Sequence, residues 1–92
     1  MLQDEISGTG TPDDASLAVP ATRFGRELGA NLRAMRMARH LSLKAIERRF
    51  PGSIKASTLR SWEAGGREIP IEKLAGLAAF YGVATASLIP PV

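Results

Sequence analysis

The sequence predicts an all-α fold, a compact domain of four helices with a short fifth element. From residue 23 onward, apolar residues recur every three or four positions, the spacing that places them on one face of a helix. Glycine and proline residues interrupt this pattern at intervals that suit helix ends. No segment alternates apolar and polar residues for long enough to form a strand.

The first helix is predicted to begin at residue 23. Its apolar face consists of residues spaced i, i+4, i+8 and i+11, namely Phe24, Leu28, Leu32 and Met35. Arginines lie beside or off this stripe: Arg26, Arg33, Arg36 and Arg39. The last two suit the negative end of the helix dipole, and His40, which follows, is expected to be exposed.

The second helix is predicted to start after Ser42, whose hydroxyl can accept a hydrogen bond from the free N–H groups of the first turn. Leu43, Ile46 and Phe50 form its apolar stripe. Pro51 and Gly52 follow and are expected to end it.

The third helix is predicted over about residues 56–64, with Leu59 and Trp62 facing inward. Gly65 and Gly66 should end it, because glycine adopts the left-handed conformation of a helix C-terminus without strain. Residues 42–64 approximately contain the second helix, the turn and the third helix.

Pro70 is expected to open the fourth helix, where its missing N–H is harmless. The buried stripe of this helix is predicted to be Ile71, Leu74, Leu77, Ala78 and Tyr81. Gly82 should end the helix, and the last residues, ATASLIPPV, have room for one turn that packs Leu88 on the core.

The charge is distributed unevenly along the 92 residues. The only charges before Arg23 are Asp4, Glu5, Asp13 and Asp14, which give −4. We interpret residues 1–22, rich in Gly, Thr, Ser, Asp and Pro, as a flexible acidic tail, and residues 23–89 as the folded domain. That domain carries all 12 Lys and Arg residues against five glutamates, which gives +7 and favours a polyanionic partner.

The sequence lacks the residues that several other classes of function require. The chain has no cysteine and one histidine, so a metal site is not expected, and no serine has a plausible base beside it. We therefore expect neither an enzyme nor a cofactor. No apolar run is long enough to span a bilayer, and the N-terminus has no signal-peptide pattern, so we expect no membrane association and a cytoplasmic protein.

Four segments resemble, in order, the lambda-repressor-like helix-turn-helix family, also called the Cro/C1 or XRE type. They are LRAMR (32–36), LSLKAIERRF (41–50), STLRSWEAGGR (57–67) and IEKLAGLAAFYGV (71–83). The subgroup that the chain resembles most is the DNA-binding domain of BldD-type developmental regulators of actinobacteria. Leu43 and Glu47 depart from the commoner family pattern, in which a DNA-contacting glutamine and a small alanine are usual. The turn at residues 51–55 also looks about two residues longer than usual.

BldD-type proteins carry a second, ligand-binding domain, which this chain does not contain. Two interpretations remain open. The chain is a short stand-alone relative, or it is one domain of a longer protein.

The resemblance implies a transcription regulator, expected to be a repressor, that reads the major groove of double-stranded DNA with its third helix. Base contacts are expected from the start of that helix: Lys55, Ala56, Ser57, Thr58 and Ser61. Phosphate contacts are expected from Ser42, Lys44, Arg60, Gly65, Gly66 and Arg67. For Ser57 and Thr58 the competing interpretation is that they only cap the helix, and for the glycines that they only end it.

The same resemblance implies a structural ion pair between Arg36 and Glu63, since the family joins an arginine late in the first helix to a glutamate late in the third. It also implies a weak or DNA-assisted homodimer on a pseudo-palindromic site. The alternative function is a protein-interaction or antitoxin-like module on the same fold, with DNA binding secondary and a protein partner bound through the N-terminal tail.

Overall fold

The computed structural model describes residues 22–91, which form four α-helices and one short 3-10 helix. The helices are α1 (Arg23–Ala38), α2 (Leu43–Arg49), α3 (Ala56–Glu63) and α4 (Ile71–Tyr81), and the 3-10 helix is Thr85–Leu88. No strand occurs within these residues, so the predicted all-α class is confirmed. The tail predicted over residues 1–22 lies, except for Thr22, outside the described part of the chain.

Thr22 is the N-cap of α1, and its side chain accepts a hydrogen bond from the N–H of Gly25 at 2.9 Å. Beyond the C-terminal end of the helix, His40 adopts a left-handed conformation with φ of 56°. The N–H groups of His40 and Leu41 return to the carbonyls of Met37 and Arg36, which is the Schellman arrangement of a helix end. His40 is exposed, as expected from its position.

Helix α2 is capped by Ser42, as predicted, through a 3.0 Å hydrogen bond from the N–H of Ala45. The helix ends before Phe50, whose backbone is no longer helical. The chain then turns through Gly52, at φ of 75°, and Ile54 is buried before α3 begins. Phe50 still packs inward, with its ring 5.8 Å from that of Phe80 in an edge-on arrangement.

Helix α3 ends with a complete Schellman motif at the two predicted glycines. Gly65 has φ of 79°, and the N–H groups of Gly65 and Gly66 donate to the carbonyls of Trp62 and Ser61. Pro70 precedes α4 as its N-cap rather than standing inside the helix. Gly82, at φ of 76°, ends α4 as predicted.

The core brings residues from all five helical elements together. Its buried apolar side chains are Leu32, Ile46, Ile54, Leu59, Trp62, Leu74, Leu77, Ala78, Tyr81 and Leu88. Leu88 is fully buried. Its backbone carbonyl accepts a 2.8 Å hydrogen bond from the side-chain amide of Asn31, which links the 3-10 helix to α1.

The prediction that Ile71 is buried is wrong, because its side chain is 67% exposed. Phe24, on the predicted apolar face of α1, is 40% exposed, although both residues fit the apolar spacing of their helices. Each lies in the first turn of its helix, where the stripe extends beyond the elements that could cover it. Ile54 shows the opposite error, because an isolated apolar residue in a turn has no periodicity to reveal its burial.

Candidate DNA-binding surface

The structure brings five of the predicted contact residues into one surface depression, whereas Ser42, Thr58 and Ser61 are not part of its lining. Its lining consists of Lys44, Glu47, Lys55, Ala56, Ser57 and Arg60. Three of these side chains are cationic and one is anionic, so the depression carries a net positive charge. The major groove of DNA admits an α-helix, and cations beside that helix suit the phosphates on either side of the groove.

The first turn of α3 presents small side chains to solvent. Lys55, which is the N-cap, and Ser57 are exposed, whereas Ala56, Thr58 and Ser61 are partly buried. Within the described part of the chain, no side chain makes a capping hydrogen bond at this helix end. The capping interpretation of Ser57 and Thr58 therefore gains no support, and their hydroxyl groups carry no cap hydrogen bond.

The start of α2 places Lys44 beside the depression, but not as an isolated cation. Its ammonium group lies 3.3 Å from a carboxylate oxygen of Glu47, with the two side chains 74% and 33% exposed. A surface pair of this kind is worth less than about 1 kcal/mol, so a phosphate can compete for Lys44. The Ser42 hydroxyl accepts the cap hydrogen bond described above, and its own proton is left to donate to another acceptor.

The three phosphate contacts predicted in the loop after α3 differ in their exposure to solvent. Gly65 is buried, and a Cβ atom at this position would lie 3.0 Å from the backbone of Arg26 in α1. Glycine is required at this point by the left-handed backbone and by the contact with α1, so Gly65 is not a surface residue. Gly66 and Arg67 are partly exposed, and both stay predictions as phosphate contacts.

A buried ion pair fixes α3 against α1. The Nε and Nη2 atoms of Arg36 donate to the two carboxylate oxygens of Glu63, each at 2.8 Å, and Nη1 donates to the carbonyl of Leu41 at 2.8 Å. The hydrogen bonds that Arg36 donates to Glu63 raise the pKa of Arg36 above its ordinary value, although burial acts in the opposite direction. Arg36 is therefore charged at neutral pH.

Close backbone contact sets the distance between the same two helices. A Cβ atom added to Gly29 of α1 would lie 2.5 Å from the carbonyl oxygen of Trp62 in α3. Only glycine permits this approach, and Arg36 follows seven residues later on the same side of α1, where it meets Glu63. Gly29 was not singled out from the sequence, because a glycine inside a helix gives no sign of what it contacts.

Sequence reasoning also passed over Arg33 as a functional residue. Arg33 is exposed, and its side chain shares a cleft with Arg36 and Arg60. The available signal was its position three residues before Arg36, which places both arginines on adjacent parts of one helix surface.

Within residues 22–91 no group of His, Cys, Asp or Glu side chains has the arrangement of a metal site. In the same part of the chain no helix combines the length and apolar character needed to cross a membrane.

Two helices joined by a turn, the second of which projects small polar side chains from a cationic surface, define a helix-turn-helix domain. The family model described as a helix-turn-helix domain matches residues 27–89, and the chain belongs to this family.

Two solved structures share the fold. The crystal structure of the DNA-binding domain of BldD is 39% identical and has a TM-score of 0.69, with 78% of this chain and 100% of that chain covered. The BldD DNA-binding domain of S. venezuelae is 40% identical with the same TM-score of 0.69, and the match covers 75% of this chain and 100% of that one. No curated protein sequence matches the chain significantly.

Proposed function

We propose that this protein is a sequence-specific transcription repressor that inserts α3 into the major groove of double-stranded DNA. Membership of the helix-turn-helix family and the likeness to the BldD DNA-binding domains make it a DNA-binding transcription regulator. Repression, sequence preference and the individual contacts are our proposals. The observation that carries them is the cationic depression where Lys44, Lys55 and Arg60 surround the exposed first turn of α3.

The surface suggests a division between base and phosphate contacts. Ser57 is exposed, with no side-chain hydrogen bond to another residue in the range 22–91, and Ala56 beside it offers a methyl group that fits against a thymine methyl. Lys55 reaches either a guanine edge or a phosphate, and Thr58 and Ser61 complete the base-reading set. Ser42, Lys44, Arg60, Gly66 and Arg67 contact phosphates, which supply affinity but little sequence information.

We further propose that two copies bind a pseudo-palindromic site, one on each half-site, with association that is weak in the absence of DNA. A single α3 of eight residues reaches only a few base pairs, so two copies are needed for a site of useful length. Such a regulator acts in the cytoplasm, where bacterial DNA is found.

The test begins with selection of bound sequences from a randomised duplex pool. Fluorescence anisotropy then measures the affinity for the selected and for random duplexes across a salt series. The variants are Lys55→Ala and Ser57→Ala, and the matched controls are Lys73→Ala on α4 and Ser87→Ala on the 3-10 helix. We expect the two α3 variants to lose sequence preference, by about 1–3 kcal/mol for each base contact removed, while most of the salt dependence remains.

A different outcome would support the alternative. If no sequence is enriched and the α3 variants behave like the controls, α3 does not read bases. The fold then serves as a protein-interaction module, and DNA binding is secondary.

A further inference from the structure

A second cleft lies next to the depression, between α1 and α3. It has a volume of about 310 Å³ and is lined by Arg33, Arg36, Leu43, Arg60, Glu63 and Ala64. Arg60 lines both hollows, so the cleft continues from the surface that we assign to DNA.

The cleft has an excess of two positive charges. Arg36 and Glu63 neutralise each other through their two hydrogen bonds, and both carboxylate oxygens are used in this way. Arg33 and Arg60 are exposed, and neither guanidinium group forms a hydrogen bond or an ion pair with any residue between 22 and 91. Two guanidinium groups on different helices therefore line one cleft, and no carboxylate among residues 22–91 pairs with either of them.

The apolar part of the cleft lining also favours the binding of an anion. Leu43, partly buried at the start of α2, contributes an apolar surface, and such a surface weakens the screening of charges by water. Two like charges facing a common space repel each other, and an anion held between them removes that repulsion. A phosphate group offers guanidinium groups several oxygens in the geometry that they bind best.

We propose that Arg33 and Arg60 together bind one backbone phosphate of DNA in this cleft. The inference rests on the proposed function, because it takes the anion to belong to the DNA that α3 contacts. It adds α1 to the DNA-binding surface and gives Arg60 a specific partner. The same chemistry fits a free oxyanion, and the two sources are separated by experiment.

The experiment measures DNA affinity and its salt dependence for Arg33→Ala, Arg60→Ala and the double variant, with the selected duplex. Arg23→Ala is the control of equal charge change, since Arg23 lies ten residues before Arg33 on α1 and is 88% exposed beside Glu27. Both arginines of interest are exposed helix residues, so alanine should preserve folding, which circular dichroism checks.

We expect each single variant to bind about three- to tenfold more weakly at moderate salt and to lose about 0.9 from the slope of log affinity against log salt. If one phosphate is shared, the double variant loses little more of the slope than either single variant. An uncharged methylphosphonate is then placed at successive backbone positions of the duplex. One such position should weaken DNA binding by the parent protein and should abolish the difference in affinity between the parent and Arg33→Ala.

Two results would overturn the proposal. Arg33→Ala behaving like Arg23→Ala excludes a role for Arg33, and slope losses that add fully in the double variant indicate two separate phosphates. Either result leaves the base-reading role of α3 standing, because that role depends on Lys55 and Ser57.

A second measurement does not require DNA binding. Inorganic phosphate is titrated into the protein while NMR follows the Nε–H signals of arginine. If the signals of Arg33 and Arg60 shift and saturate together, the cleft binds an oxyanion. If the parent protein shows these shifts but binds no duplex, the ligand of the cleft is a free anion rather than a DNA phosphate. Absence of these shifts, together with unaltered DNA binding in the variants, removes the cleft as an anion site.

Discussion

Arg36 and Glu63 are joined by two hydrogen bonds of 2.8 Å, with their side chains only 9% and 6% exposed. The same guanidinium donates to the carbonyl of Leu41, just before α2. One side chain thus connects α1, the start of α2 and the end of α3. The orientation of α3 therefore depends on a contact that lies outside the lining of the depression itself.

Replacing Glu63 with glutamine should destabilise the domain by about 3–5 kcal/mol, because the buried Arg36 loses its counter-charge. Urea unfolding followed by circular dichroism measures this loss. The double variant Arg36→Met/Glu63→Met should be more stable than the sum of the single variants predicts, since it leaves no buried charge unpaired. Single variants as stable as the parent would show that the pair is solvated in solution.

Gly29 allows α1 and α3 to cross at close range, so Gly29→Ala should destabilise the domain although alanine is the better helix former. The added methyl would lie 2.5 Å from the carbonyl oxygen of Trp62, and backbone atoms at that distance must move. We expect a net loss of about 1–3 kcal/mol in the free energy of unfolding. Gly76→Ala is the control, because a Cβ there meets only the Phe50 ring, at 3.6 Å, and should be neutral or stabilising. Equal behaviour of the two variants would contradict the close crossing.

The buried hydroxyl of Tyr81 should make stability depend on pH in the alkaline range. Burial raises the pKa of Tyr81 from 10.0 to about 12, with Glu63 acting in the same direction and Arg36 and Arg39 opposing it. The folded state therefore holds the proton that the unfolded state has already released. Stability is fully present below pH 10 and falls between pH 10 and about 12, by about 1.4 kcal/mol for each pH unit.

Tyr81→Phe should remove this alkaline loss. Among residues 22–91, the Tyr81 hydroxyl is buried and has no hydrogen-bond partner, so the variant should also be at least as stable as the parent at neutral pH. The Arg39 guanidinium, 5.2 Å from the ring centre, still finds an aromatic face in the variant. Thermal unfolding across the pH series is the measurement, and an unchanged alkaline loss in the variant would assign the titration to other groups.

The sequence predicted most of this fold because its helix ends carry strong local signals. Ser42, Gly65 and Gly82 each act through their own backbone or side chain, so their roles follow from neighbouring residues alone. The exposure of Ile71 and the burial of Ile54 depend on which distant elements cover them, and periodicity does not contain that information. The family resemblance supplied the Arg36 and Glu63 pair, which spacing alone could not.

The candidate site was predicted less completely for the same reason. The residues at the start of α3 could be named from the resemblance, but the cleft shared by Arg33 and Arg60 depends on how α1 crosses α3. That crossing depends in turn on the contact at Gly29, which no local pattern reveals.

The acidic residues of the N-terminal segment should weaken non-specific DNA binding. Residues 1–20 carry −4, whereas the remainder carries +7, so we expect the segment to compete with phosphates for the cationic surface that we assign to DNA. Deleting residues 2–20, which keeps the Thr22 cap of α1, should raise the affinity for random duplex at low salt. The difference should shrink as added salt screens the charges. Full-length protein with Asp4→Asn, Glu5→Gln, Asp13→Asn and Asp14→Asn should reproduce the gain if charge is the cause. Anisotropy that shows equal affinity for the deletion variant and the parent at low salt would remove this role from the segment.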